Sequence, residues 1–297
     1  MRNRVDDSDV ELLCERVNDR LRRLSFAYAE HEWGQTLAIE GHPEIRFPRS
    51  AGGQIKGGAA EWVSTKHRDG RIHEPGMVAA LLELAEAEVS IRTIFDIGAL
   101  YGYVSLVSRS LFEQSSVHAF EVNPRSYAAL QRNIEANRET FGDSVTAHHC
   151  ALADSTAPHA PLRIRGFGVV RLDEDPSTDA PGKEHLVDVW SLDDFCRATA
   201  LSPDLVKLDV EGYQAKIIPG ARDVIARSRP TILLEFDAPG SVNNFGVTNR
   251  DVIRPLLDDG YRLIWGRHRE RNTRFRVLDL GDLSDEHEIN SLAILVP

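Results

Sequence analysis

Apolar residues recur at three- and four-residue steps over positions 8–31, where Val10, Leu13, Val17, Leu21, Leu24 and Tyr28 share one stripe and charges fill the other face. That period predicts an amphipathic helix, capped at its start by Ser8 or Asp9. Its stripe is expected either to lie on the main body of the chain or to form a homodimer contact. Positions 35–73 carry only short alternating stretches, such as Glu44-Ile-Arg-Phe, broken by Gly52-Gly53 and Gly57-Gly58. They read as an irregular lead-in with room for a small hairpin.

From residue 74 onward the pattern alternates between strand and helix. Strands are predicted at 91–97, 117–121, 145–150, 205–210, 231–236, 261–265 and 291–296. Helices are predicted at 75–89, 103–112, 124–137, 191–199, after 210 to about 227, and at 249–259. Pro124 stands at the favoured first turn of its helix. Between 155 and 190 the rhythm breaks into extended pieces at 162–165 and 186–190, around an acidic Pro/Ser loop at 173–182. Strands separated by helices of this length predict a doubly wound, mostly parallel, seven-stranded α/β sheet, its last two strands an antiparallel pair at one edge. Residues 1–73 then form an N-terminal helical extension, and 74–297 the main domain.

The segment Thr93-Ile-Phe-Asp-Ile-Gly-Ala-Leu-Tyr-Gly is the most informative. An apolar strand ends in Asp96, and Gly98 and Gly102 flank a tight turn into a helix. In open α/β sheets ligands bind at the carboxyl ends of the strands. A glycine at 98 lets the backbone approach a ligand, and Asp96 can accept hydrogen bonds or pair with an ammonium group. The dinucleotide fingerprint is incomplete, because Leu100 occupies its middle glycine and Asp96 would repel a phosphate. S-adenosylmethionine has no phosphate and carries an amino group and a sulfonium, so a carboxylate suits it. A plain strand-to-helix turn is the bland alternative.

Glu121 ends the second strand, where an acid can hold both hydroxyls of a ribose; a surface glutamate capping the next helix reads equally simply. Asp154 follows the third strand, either as acceptor for an adenine amino group or as a cap. On the fourth strand, Lys207 and Asp209 share a face by the period of two, and Glu211 opens the next turn. These three either form a structural ion-pair cluster or orient an acceptor hydroxyl and take its proton. His73 and His149 are further candidates for the base. Glu235 and Asp237 end the fifth strand and, with Asp209, offer oxygen ligands of the kind a divalent cation takes, but no metal site is assigned.

Charge and composition narrow the partners. The net charge of −11 repels a phosphate backbone, and the arginine-rich stretch 262–276 reads as a solvated loop, so no nucleic acid is expected. No run of eighteen apolar residues exists, so no membrane span is expected, and the charged N-terminus lacks the apolar core of a secretory signal. Cys14, Cys150 and Cys196 are far apart, and His148 and His149 point to opposite faces of a strand. That excludes a zinc framework and suits a reduced, cytoplasmic compartment.

Taken together, Glu74-Pro75, Phe95-Asp-Ile-Gly-Ala-x-x-Gly-Tyr, Phe120-Glu-x-Asn-Pro, Ala151-Leu-Ala-Asp, Ser191-Leu-Asp-Asp-Phe, Val206-Lys-Leu-Asp-Val-Glu-Gly and Pro219-Gly-Ala resemble the FkbM family of methyltransferases. They span roughly 74–236 in the order that family shows. The resemblance implies a class I, Rossmann-like methyltransferase fold using S-adenosylmethionine to methylate a hydroxyl of a sugar, glycan or natural-product acceptor. It implies cofactor contacts at Glu74, Asp96, Gly98, Ala99, Gly102, Glu121 and Asp154, and chemistry at Asp209, Lys207 and Glu211. The chain departs from the family pattern at Leu100, usually Asn, at Val122, commonly Pro, and at Gln214, usually acidic. Two other readings are weighed beside it. One is a degenerate fold serving as a non-catalytic scaffold; the other is a nicotinamide-dependent oxidoreductase, which the missing glycine disfavours.

Overall fold

In the computed structural model, which describes residues 6–49, 59–87, 90–165, 169–171, 184–284, 287 and 290–297, the first helix is α1 (Asp7–Arg23). Its cap is neither Ser8 nor Asp9: the Asp6 carboxylate accepts the Asp9 amide at 3.0 Å. The helix stops before Leu24, and Phe26–His31 forms a strand, β1. The longer helix was expected because Leu24 and Tyr28, four apart, fit both helical and extended periods; Phe26 between them completes the strand alternation. β1 pairs antiparallel with β2 (Gly34–Ile39), and β2 with β3 (Ile45–Pro48), so a three-stranded sheet replaces much of the irregular lead-in. The two glycine pairs at 52–53 and 57–58 lie outside the described residues.

After α2 (Ala59–His67) comes α3 (Pro75–Glu86), against which α1 lies. Val10, Val17 and Leu21 of the stripe, together with Cys14, are buried there, and Leu13 is half-buried beside them. A buried carboxylate fixes the contact. Glu83 receives Arg16 Nε at 2.7 Å and Arg20 Nε at 2.6 Å, and Arg20 also reaches Glu40 and Glu86.

The main sheet uses β4 (Thr93–Ile97), β5 (Ser116–Phe120) and β6 (Val145–His148), linked by α4 (Tyr103–Leu111), α5 (Pro124–Ala136) and the short α6 (Arg138–Phe141). The predicted third strand ends two residues early, because the chain leaves for a second sheet of β7 (Ala151–Ala153), β8 (Ala157–Arg165), β9 (Val169–Arg171) and β10 (Glu184–Ser191). The expected extended pieces belong to β8 and β10; the acidic loop at 173–182 lies outside the described residues.

The chain returns through α7 (Leu192–Thr199) to β11 (Leu205–Leu208), α8 (Gln214–Ile217), α9 (Arg222–Ser228) and β12 (Thr231–Phe236). It ends with α10 (Pro239–Val242), α11 (Asn249–Asp258), β13 (Arg262–Gly266), β14 (Arg276–Leu278) and β15 (Ser291–Val296). The sheet order is β14-β13-β15-β12-β11-β4-β5-β6. Strands β12 to β6 along this order are parallel, and β15 runs antiparallel to both β12 and β13. This is the doubly wound α/β sheet expected, with β14 as an eighth strand. The last strand is wedged inside rather than at the rim.

The arginine-rich stretch is not a solvated loop. Leu263, Ile264 and Trp265 are buried in β13, and the arginines cluster beyond its end, where Arg269 meets Glu235 and Arg271 donates to the Leu24 carbonyl. No helix among the described residues is long and apolar enough to cross a membrane.

Candidate active site

Sheet order reverses between β4 and β11, and the carboxyl ends of β4, β5 and β11 open there into one cleft. Gly98, just past β4, has φ +79°, and a Cβ on it would lie 1.9 Å from the Asp209 carbonyl oxygen. The neighbouring strand's backbone therefore requires glycine at this position, which also lines the cleft. Leu100 follows in the left-handed region with φ 50°, a conformation that concentrates at functional sites. Its amide donates to Glu121 Oε2 at 2.8 Å, while the Asn123 amide donates to Oε1 at 2.7 Å.

Glu121 is thus strapped across the turn. A carboxylate has about four acceptor positions, so each oxygen keeps one for a further donor. Burial pushes this carboxyl up to about 7, against the two amides that favour its charge. The arrangement also bears on the cofactor class, because the Leu100 amide, which a pyrophosphate would need, is already used.

The cleft is open on one side and encloses about 860 Å³ when the adjoining solvent space is included. Ile97, Leu100, Phe120, Val122, Leu152 and Ile217 give it apolar walls. Glu121 stands on one side, and Asp209, Glu211 and Tyr213 on the other.

Several expected contacts are placed elsewhere. Asp96 is 1% exposed and does not line the cleft. It accepts Ser105 Oγ at 2.5 Å and pairs with Lys207 Nζ at 3.0 Å. Parallel pairing sets Lys207 directly opposite Asp96, and the ammonium also donates to the Gly98 carbonyl at 2.9 Å. Burial works against the lysine's charge, but Asp96 and Asp209 overcome it and raise its pKa. Lys207 is therefore a pin beneath the turn rather than a group facing substrate.

Ala99 is buried, its amide bonded to the Phe120 carbonyl, and Gly102 begins α4; neither lines the cleft. Asp154 sits in a part-exposed pair with Lys216 at 3.2 Å, also outside the lining. His149 stacks on Tyr127 and approaches the Val122 carbonyl.

Asp209 reaches the cleft with 30% of its side chain exposed, 3.7 Å from Lys207 Nζ. Burial drives its carboxyl well above the usual range; Lys207 opposes this, while Glu235, Glu74 and Asp237 add to it. Glu211, at φ 52°, is also raised by burial and by Glu235. Gly212 beside it has φ +99°, and a Cβ there would meet the Ser241 carbonyl oxygen at 2.6 Å. Its amide donates to Asp237 Oδ2 at 2.7 Å, and burial with Glu235 nearby pushes Asp237 up to about 7. Gln214, where the resembled family usually has an acid, is buried and donates to Asn249 at 3.1 Å. A second acid so close to Asp237 would add like charge.

Behind these groups lies a buried set whose central member, His268, sequence reasoning missed. His268, fully buried just past β13, stands 3.6 Å from Glu235 Oε2 and 3.8 Å from Glu74 Oε1. Burial disfavours a proton on this imidazole, yet Glu235 and Glu74 outweigh it and raise its pKa to about 9. Arg269 reaches Glu235 Oε1 at 2.5 Å, and His73 reaches Glu74 Oε1 at 3.0 Å. Glu74 is thus buried in this network, not in the cleft lining. The only sequence signal for His268 was its place three residues beyond the apolar run 263–265, and the arginines on either side hid it.

A family model, the methyltransferase FkbM domain, matches residues 96–263. No protein of curated function matches the chain in sequence. Among solved structures, methyltransferase FkbM from Methylobacillus flagellatus KT is similar at 16% identity and TM-score 0.44, over 79% of this chain and 57% of that one. This chain thus spans little more than half of that protein's length. The ribosomal protein L11 methylase from Lactobacillus delbrueckii subsp. bulgaricus is similar at 14% identity and TM-score 0.37, over 74% and 78%. An SAH-bound methyltransferase from Podospora anserina is similar at 15% identity and TM-score 0.39, over 74% and 86%.

Proposed function

The chain belongs to the FkbM methyltransferase family, and on that premise we propose that it methylates a hydroxyl of a sugar, glycan or natural-product acceptor with S-adenosylmethionine as donor. The observation that carries the donor reading is Glu121, held by the Leu100 and Asn123 amides with one acceptor position left on each oxygen. Two outward acceptor positions on one carboxylate match the two adjacent hydroxyls of a ribose. The walls formed by Val122, Leu152 and Ile217 suit an adenine ring beside it, and the carboxylate of Glu211 suits the cationic end.

The donor, when bound, supplies an electrophilic methyl group whose leaving group is a neutral thioether. Asp209 is the proposed base for the acceptor: it lines the cleft, and its raised pKa fits it to accept the hydroxyl proton as the new C–O bond forms. Glu211, on the same rim, orients the hydroxyl. Lys207 holds Asp96 and the turn in place and thereby sets the distance between Gly98 and Asp209. A scaffold without chemistry has no need for a raised carboxyl at the cleft, which favours the enzyme reading.

Calorimetric titration tests the donor assignment. Wild-type protein should bind S-adenosylmethionine and not NADH. Glu121→Ala should weaken donor binding by about 1.5–3 kcal/mol, the range for hydrogen bonds to a charged group. Unchanged donor affinity in Glu121→Ala would remove the assignment.

A further inference from the structure

We propose that His268, Glu74 and Glu235 form a buried site for a divalent transition-metal ion, set behind the cleft and independent of the donor reading. The three come from separate elements: the residue before α3, the end of β12 and the segment after β13. One ligand atom from each lies within 4.8 Å of the others, and the residues are 4%, 1% and 0% exposed respectively for Glu74, Glu235 and His268.

The spacing is the first argument. Hydrogen bonds between such groups run to about 3.2 Å, whereas His268 Nε2 stands 3.6 Å from Glu235 Oε2 and 3.8 Å from Glu74 Oε1. Two ligands about 2.0–2.1 Å from a tetrahedral zinc are themselves roughly 3.3 Å apart. Both gaps lie beyond hydrogen-bond reach and within about half an ångström of the separation of two ligands on one ion.

The orphaned atoms are the second argument. Neither ring nitrogen of His268 has a hydrogen-bond partner, and neither does Glu235 Oε2, although all three are buried. Unsatisfied buried polar atoms are rare and costly. Arg269 occupies Glu235 Oε1 and leaves Oε2 free to turn inward, while His73 backs Glu74 as an outer-shell partner would. One imidazole and two carboxylates suit zinc or manganese better than calcium or copper(I). Enclosure of all three ligands makes the ion a clamp across the acceptor side. A proton on His268 is the competing occupant of the same space.

Metal analysis of the purified full-length chain tests this. About one equivalent of zinc or manganese per chain is expected, or, after chelation, a melting temperature raised by several degrees on adding either chloride salt. His268→Ala and Glu74→Gln should each abolish that uptake, while Asp237→Asn keeps it. Should His268→Ala fail to fold, cobalt(II) substitution of the chelated wild type should give the visible bands of a nitrogen–oxygen site. Wild-type protein holding less than about a tenth of an equivalent, with no thermal shift from either metal, overturns the site in favour of an imidazolium between two glutamates. Uptake lost in Asp237→Asn but kept in His268→Ala also overturns it, placing the ion among Asp209, Glu235 and Asp237.

Discussion

On one rim of the cleft, Glu121 takes a backbone amide on each oxygen, and Asp96 below it takes Ser105 and Lys207. On the other rim stands Asp209, and the buried Glu235 and Asp237 behind it bring carboxylate oxygens within 4.8 Å of its own and of one another. The first rim draws on the turn after β4, the end of β5 and Lys207 of β11, and each of its acids is matched by a donor. The second gathers acids from the ends of β11 and β12 and leaves part of their charge unmatched. Preorganised partners suit a ligand that is always the same, and surplus charge suits a proton, a cation or an acceptor that varies.

The largest effect should come from the second rim. Asp209→Asn keeps the shape and removes the base, so methyl transfer from labelled donor should fall by about 10²–10⁴-fold, with donor affinity within a few-fold. Near-full turnover would erase the functional half of the contrast and move the search to His73, whose ring already meets Glu74.

Next comes the pin under the first rim. Lys207→Met leaves Asp96 buried against Ser105 alone, and breaking such a pair costs about 3–5 kcal/mol of stability. Denaturant unfolding should show that loss, and the double variant with Asp96→Asn should recover most of it. Little loss in the single variant would mean that the pair is not matched charge at all.

The smallest effect concerns protons. Glu121 sits near 7 in the free protein because of burial, and hydroxyls donated to it favour its charged form. Donor binding should therefore release part of a proton near pH 7 and tighten a few-fold from pH 6 to pH 8. Calorimetry in two buffers of different ionisation enthalpy measures this. Glu121→Gln should flatten the pH dependence; if the slope persists unchanged, the titrating group is Asp237 behind the other rim, whose carboxyl is also pushed up to about 7.

The same contrast governs what could be read along the chain. Glu121 and the Gly98–Gly102 turn were legible because strand, turn and acid are close in sequence and follow a period. The opposition of Lys207 and Asp96 was not, since strand register across the sheet is a tertiary fact. It turned a presumed cofactor contact and a presumed catalytic lysine into each other's partners. His268 and Glu74 are almost two hundred positions apart in the chain and meet only once β13 is placed. The start of β1 was hidden for a different reason: a four-residue spacing belongs to both kinds of secondary structure.

Because a Cβ at residue 98 would fall 1.9 Å from the Asp209 carbonyl oxygen, the turn after β4 and the residues just past β11 are a single mechanical part. Neither can drift in an evolving lineage unless the other moves with it. An engineer changing acceptor preference should accordingly leave 98 and 209 alone. Diversity is better placed at Tyr213, which lines the cleft and whose ring meets that of Phe245 at 5.1 Å.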